Sequence, residues 1–182
     1  MRTIGATLFM SLDGVVESPE RWAFDYSNDE KEEANTSGMA ALDAVLLGRV
    51  TYRESADSWS NRPSGEPIAV YLNNVPKFVV STTLDRVGWR NSTLIGGNVA
   101  EELAELKRQP GKDITIVGSP TLTRSLLRHG LLDELHLLVP PIVLGSGKRF
   151  FADEGEQKRL KLVDAKTFET GVLSLTYQPA GA

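Results

Sequence analysis

The chain has 182 residues, of which 41% are hydrophobic and 24% charged, the profile of one globular domain spanning residues 1–182. A net charge of −4 with a pI near 5.3 argues against a nucleic-acid partner, which would need a basic face. No cysteine occurs, so disulfides, thiolate metal sites and cysteine nucleophiles are excluded together.

Residues 3–12 are rich in strand formers. They are too short and too interrupted for a membrane span or a signal peptide, so a cytoplasmic protein without a membrane partner is expected. The strand that opens an α/β domain is expected at the centre of its sheet with both faces buried. Asp13-Gly14 ends it. The loop that follows, up to Asn28, carries Trp22, Phe24 and Tyr26 at alternate positions. Such aromatics either wall a flat ring or pin the loop to the body, and the residues alone leave both open. Asn28 suits the cap of a helix from Asp29 to about Leu42, whose acidic first turn complements the dipole.

Residues 44–47 form an apolar run that ends at Gly48, and residues 49–54 then look helical. Arg49 falls in the first turn, where the helix dipole disfavours a cation unless an anion is present. That conflict points to a bound phosphate. Residues 59–65 read as a loop and residues 67–72 as a short helix before Pro76. A strand over residues 77–80 stops at Ser81-Thr82-Thr83. Open α/β sheets bind ligands at that end of their strands, although a hydroxyl-rich turn is the plainer reading of these residues taken alone. Residues 93–95 lead to Gly96-Gly97, and Asn98 with Glu101 has capping-box spacing ahead of the stripe Val99, Leu103 and Leu106.

Residues 113–130 combine a β-branched strand, a glycine turn at Gly118 and a helix. Ser119 suits its N-cap, Pro120 its first position, and Leu122, Leu126 and Leu127 its buried stripe. Free amides behind a glycine turn form an anion site, so this is either a phosphate cradle or a plain βα connection. Residues 134–139 alternate, and residues 160–168 and 172–177 read as a closing antiparallel hairpin around Glu169-Thr170-Gly171. The predicted class is α/β, with a mixed, mostly parallel central sheet flanked by helices and an antiparallel C-terminal hairpin.

Gly145-Ser146-Gly147-Lys148 lacks the first glycine and the Ser or Thr of a P-loop, and no Gly-x-Gly-x-x-Gly or Gly-x-Ser-x-Gly follows a strand. His129 and His136 have no metal-type neighbours, so no metal site is expected, and His136 is expected to face outward or meet a partner chain.

Six segments in order carry a resemblance: Ser11-Leu12-Asp13-Gly14, residues 47–52, residues 80–84, residues 117–122, Asp133-Glu134-Leu135 and residues 141–147. Together they resemble the dihydrofolate-reductase-like superfamily, specifically the reductase domain of bacterial riboflavin biosynthesis and its stand-alone relatives. The resemblance implies NADPH lying across the C-terminal strand edge. It assigns Gly48, Arg49, Val50 and Thr51 to the first phosphate-binding helix start, with Arg49 toward the 2′-phosphate. Ser81, Thr82 and Thr83 fall on the adenosine side, Gly97 is a further cofactor-binding position, and Gly118, Ser119, Pro120, Thr121 and Leu122 form the second phosphate turn. Ala6 and Thr7 match the strand that holds the nicotinamide carboxamide, and Gly14 the loop over that ring. Asp13, Asp25 and Asp29 are the carboxylate candidates for supplying a proton, and Trp22, Phe24 and Tyr26 for a substrate wall. The implied activity is hydride transfer to a small pterin- or pyrimidine-like heterocycle, ribosylated or not, by a homodimer. A non-catalytic nucleotide sensor and a flavodoxin-like FMN protein are the alternatives.

Overall fold

The computed structural model describes residues 1–28, 38, 41–62, 66–151 and 157–180. Eight strands make one sheet: β1 (Ile4–Phe9), β2 (Leu42–Gly48), β3 (Lys77–Val80), β4 (Ser92–Ile95), β5 (Asp113–Val117), β6 (Glu134–Val139), β7 (Leu160–Thr167) and β8 (Leu173–Pro179). Their order is β4-β3-β2-β5-β1-β6-β8-β7. The six strands from β4 to β6 are parallel, and β8 and β7 run antiparallel at one end. The mixed sheet with a closing hairpin is therefore as the pattern predicts. Four helices lie among the described residues: α1 (Arg49–Trp59), α2 (Pro67–Asn74), α3 (Val99–Arg108) and α4 (Pro120–Arg128).

Two cores divide the helices between the faces of the sheet. Leu103 and Leu106 of α3 and Leu122, Leu126 and Leu127 of α4 pack on Ile4, Ala6, Leu8, Ala44, Leu46, Ile114, Ile116, Leu135 and Leu137. On the other face Tyr52 of α1 and Leu72 of α2 pack on Val45, Leu47 and Val79. Neither α1 nor α2 contributes to the core over β1 and β6. The first strand is thus central but buried on one face only, with Thr7 exposed on the other, contrary to expectation.

Further boundaries differ for identifiable reasons. β2 already begins at Leu42, because Asp43 is tied to the Arg2 guanidinium and accepts from the Lys112 amide at 2.8 Å. Most of the expected helix before it, including Asp29, lies outside the described residues. α1 continues to Trp59, whose ring joins the second core under the Arg62 guanidinium at 4.4 Å. Asn98 caps α3 by accepting from the Glu101 amide at 3.4 Å, but the return bond comes from Glu102, which accepts from the Gly97 amide at 3.2 Å. α4 ends at Arg128 and is closed by Gly130, φ +68°, beyond the His129 cap, with Leu131 N–H bonded to Leu126 C=O and Gly130 N–H to Leu127 C=O. That pair of bonds is the glycine-dependent termination the sequence predicts. Lys77 is 1% exposed and donates to the carbonyls of Leu72 and Val75, closing the end of α2. Burial, with the nearby Arg90 cation, pushes its ammonium down to about 8.

Candidate functional site

The C-terminal edge of the parallel strands brings two strand-to-helix turns together, at β2–α1 and β5–α4. Their junction is Ser119. Its hydroxyl accepts from the Gly48 amide at 2.9 Å and donates to the Val117 carbonyl at 3.3 Å, while its own amide donates to Thr51 Oγ1 at 3.2 Å. Gly118 and Ser119 both adopt left-handed φ, +57° and +52°. A Cβ on Gly118 would stand 3.1 Å from Thr51 Cγ2, so the close approach of the two turns requires a glycine there. Ser119 holds the N-cap position but makes no side-chain cap bond, since its hydroxyl is turned to the neighbouring turn. Ser119 thus takes the expected N-cap position, with its hydroxyl used between the two turns instead of on α4.

Neither α1 nor α4 has a side-chain cap or an acidic residue in its first turn. The first-turn amides of Arg49, Val50 and Thr51, and of Thr121 and Leu122 beyond Pro120, have no intrahelical acceptor. Two positive helix ends thus share one edge with nothing from the described residues to neutralise them. Arg49 is exposed and makes no ion pair with the described residues, so the electrostatic conflict noted in the sequence persists in the fold. Amides and guanidinium together fit the phosphates of a dinucleotide.

Beside the turns the sheet splits. The β1–β5 ladder stops at Thr7–Val117, whereas the β1–β6 ladder runs on to Phe9–Leu138. A cleft therefore opens along β1 beyond Thr7. Ala6 lies in the core below, 2% exposed, so only its backbone can serve a ligand. Further along the edge, Ser81 Oγ accepts from the amides of Thr83 and Leu84 at 3.2 and 3.1 Å. Ser81 is therefore occupied in building its turn, and Thr82 and Thr83 are the exposed hydroxyls. Gly97 is likewise exposed, though its amide is taken by Glu102.

The carboxylate candidates are placed differently from one another. Asp13 accepts from Ser11 Oγ at 2.7 Å and from the amides of Leu144 and Gly145 at 3.1 and 2.8 Å. Arg149 Nε donates to the Asp13 carbonyl at 2.9 Å. The Ser11 hydroxyl foremost, with the Leu144 and Gly145 amides, lowers the Asp13 carboxyl to about 2. A group that remains ionised near neutrality cannot donate a proton, so the geometry makes Asp13 a clasp between two loops. Gly14 belongs to the same clasp, its carbonyl accepting from Phe150 N–H at 2.9 Å. Asp25 is exposed in a short 3-10 turn.

The aromatic loop divides its roles. Trp22 is buried, and its Nε1 donates to the Glu17 carbonyl at 2.9 Å. Its main work is to pack the loop, and it backs a small hollow of about 330 Å³ with Val15, Leu144 and Ser146. Tyr26 packs with Phe9 on Leu138, Phe168 and Val172. Phe24 is 57% exposed and meets the edge of Phe9 with ring centroids 6.2 Å apart, which makes it the aromatic offered to a ligand. A larger open groove of about 740 Å³, between α1 and the segment from Gly88 to Arg90, is lined by none of the cradle residues.

The sequence reading leaves His136 facing outward or meeting a partner chain. It stands on the sheet face away from the α3–α4 core, half-buried, with its Nε2 2.7 Å from Ser174 Oγ. Its signal was the alternation of Glu134 and His136 with the leucines of β6. Among the described residues no group of three or more His, Asp or Glu is placed to hold a metal ion. No helix among them is long and apolar enough to cross a membrane.

Comparison with known proteins bears on the fold and the family. The protein YyaP of Bacillus subtilis (strain 168), itself uncharacterised, is 31% identical over 97% of this chain and 94% of its own length. A pyrimidine reductase-like protein from Corynebacterium diphtheriae shares the fold with a TM-score of 0.69, at 14% identity over 100% of this chain and 93% of its own. A dihydrofolate reductase from Enterococcus faecalis, solved with NADP(H), superposes with a TM-score of 0.59, at 16% identity over 98% and 97% of the two chains. The model of the RibD C-terminal domain matches residues 2–174, so the chain belongs to the RibD C-terminal domain family of reductase-like proteins.

Proposed function

We propose that the protein is an NADPH-dependent reductase that transfers a hydride to a small pterin- or pyrimidine-like heterocycle. The observation that carries this reading is the Ser119 bridge, which locks two uncapped helix N-termini side by side next to the cleft along β1. The first-turn amides of α1 and α4 bind the pyrophosphate, and the Arg49 guanidinium supplies the fork that a 2′-phosphate requires. Thr82 and Thr83 face the adenosine end. Ala6 and Thr7 hold the nicotinamide at the cleft through strand backbone, and the loop clasped by Asp13 excludes water above it. Bound there, the nicotinamide supplies the hydride, and the protein's share of the chemistry is alignment.

Arg49 gives the direct test. Fluorescence titration of the wild-type protein is expected to show NADPH binding more tightly than NADH. Arg49→Ala is expected to weaken NADPH by about 1–3 kcal/mol, the worth of lost charge-assisted hydrogen bonds, and NADH much less. Equal losses for both nucleotides would remove the 2′-phosphate role, and no NADPH binding at millimolar concentration would remove the reading altogether.

A further inference from the structure

The half of the sheet face not covered by α1 and α2 carries an ordered polar row. In strand register Val117, Thr7, His136, Thr176 and Asp164 stand side by side across β5, β1, β6, β8 and β7. Register partners on adjacent strands project to the same face. The row begins at the cradle, because Val117 leads directly into Gly118. Above it lie Phe9 and Leu138, and against Phe9 stands the exposed ring of Phe24. Below it lies Glu134, which accepts from Gln178 Nε2 at 3.4 Å.

His136 is the half-buried member of this row with a fixed orientation. Its Nε2 is held on Ser174 Oγ at 2.7 Å, and Ser174 is itself buried. Its Nδ1 makes no hydrogen bond among the described residues, and neither do the hydroxyls of Thr7 and Thr176. The imidazole edge, half-buried and left unbonded among the described residues, is costly unless a ligand completes it. The charged groups facing the ring are Glu134 on its own strand and Asp164 and Lys166 on β7, the last with its ammonium 4.9 Å over the Phe168 ring. Burial pushes the imidazole pKa below its ordinary value, and the two carboxylates only partly oppose this. The ring is therefore neutral at pH 7, able to donate or accept one hydrogen bond toward a neutral partner.

We infer that His136, oriented by Ser174, is a specificity-determining residue that hydrogen-bonds the edge of an amino-substituted nitrogen heterocycle laid between the polar row and Phe24. This deepens the reductase reading and rests on it for the position of the nicotinamide beside Thr7. The carboxylates of Glu134 and Asp164 on either side favour a ring that presents N–H donors. Ser174 acts through His136 and is a positioning residue.

The chain has two histidines, and His129 sits at the far end of α4, so ring NMR signals give a probe and an internal control. With NADP⁺ present, 2,4-diaminopyrimidine is expected to shift the His136 ring resonances and leave those of His129 in place, with a larger shift than uracil gives. In the free protein the His136 midpoint is expected below 6.5. His136→Ala and Ser174→Ala, each verified as folded by its thermal melt, are expected to weaken diaminopyrimidine roughly tenfold, and His136→Gln less. A His136 signal unmoved by either pyrimidine up to solubility would overturn the inference, as would unchanged affinity in His136→Ala. Failure of the nucleotide reading is separate, because it shows as absent NADPH binding in the wild type. A selective His136 shift under that condition would still support the substrate role of the row.

Discussion

Ser119 commits its amide and its hydroxyl to joining two turns, while its carbonyl accepts from Thr123 N–H at 3.0 Å within α4. Removing the hydroxyl would leave the part-buried Gly48 amide without an acceptor, at a cost of about 1–2 kcal/mol. Ser119→Ala is accordingly expected to lower the midpoint of thermal unfolding by about 2–8 °C for a domain of this size, and to weaken NADPH without a comparable change in the far-UV spectrum. Unchanged melting and nucleotide affinity would mean that the bridge is incidental. Of this arrangement, the turn residues were readable in the sequence. Gly118 and Pro120 declare a βα turn by their own backbone preferences. The partner of Ser119 was not readable, because Gly48 lies 71 positions away and only the β2–β5 pairing brings it near. Trp22 misleads for a similar reason, since spacing alone does not distinguish a ring that lines a wall from one that holds a loop down.

Among the elements, the two loops at the C-terminal edge act as one. Residues 11–17 and 142–150 are stitched by Asp13, by the Val15–Arg149 bridge and by Val16 N–H on the Lys148 carbonyl at 2.9 Å. Gly147 is required at their contact, as a Cβ there would fall 2.6 Å from Val15 Cγ1. This explains the segment that imitates part of a P-loop, whose glycines serve loop-to-loop packing. The Asp13 carboxyl is lowered from 3.8 to about 2 in the fold, so the folded state binds fewer protons than the unfolded one. Its contribution is then complete above about pH 4 and is lost as pH falls through 2. In thermal melts, Asp13→Asn is expected to be less stable than wild type at pH 6, with the difference closing toward pH 2. A difference independent of pH would point to shape and not charge. The acidity of Asp13 was visible in the sequence, but its acceptors' partners at Leu144 and Gly145 were not, which is why it first read as a catalytic candidate.

Among the described residues, the two halves of the sheet face that carries α1 and α2 are covered differently. The parallel block and the antiparallel end are legible from periodicity and turn residues, since each strand and helix carries its own boundary chemistry, whereas the strand order is set by long-range pairing that no local pattern declares. What remained hidden was which face each segment covers. The opening strand reads as buried on both faces, yet its Thr7 side faces a half of the sheet that neither α1 nor α2 covers. At the antiparallel end β7 is exposed along nearly its whole length, with Leu162 and Val163 at 49% and 41%. An uncovered edge strand of this kind invites pairing with a second copy. A homodimer is the expected state, and size-exclusion chromatography with light scattering at micromolar protein is expected to give about twice the chain mass. A monomer mass would count against it.

The reductase reading finally depends on where a nucleotide lies. In a crystal structure of the NADPH complex, the pyrophosphate is expected between the N-termini of α1 and α4, the 2′-phosphate within hydrogen-bonding distance of Arg49, and the nicotinamide against β1 at Thr7. A nucleotide seated elsewhere, such as in the groove between α1 and Trp89, would contradict it.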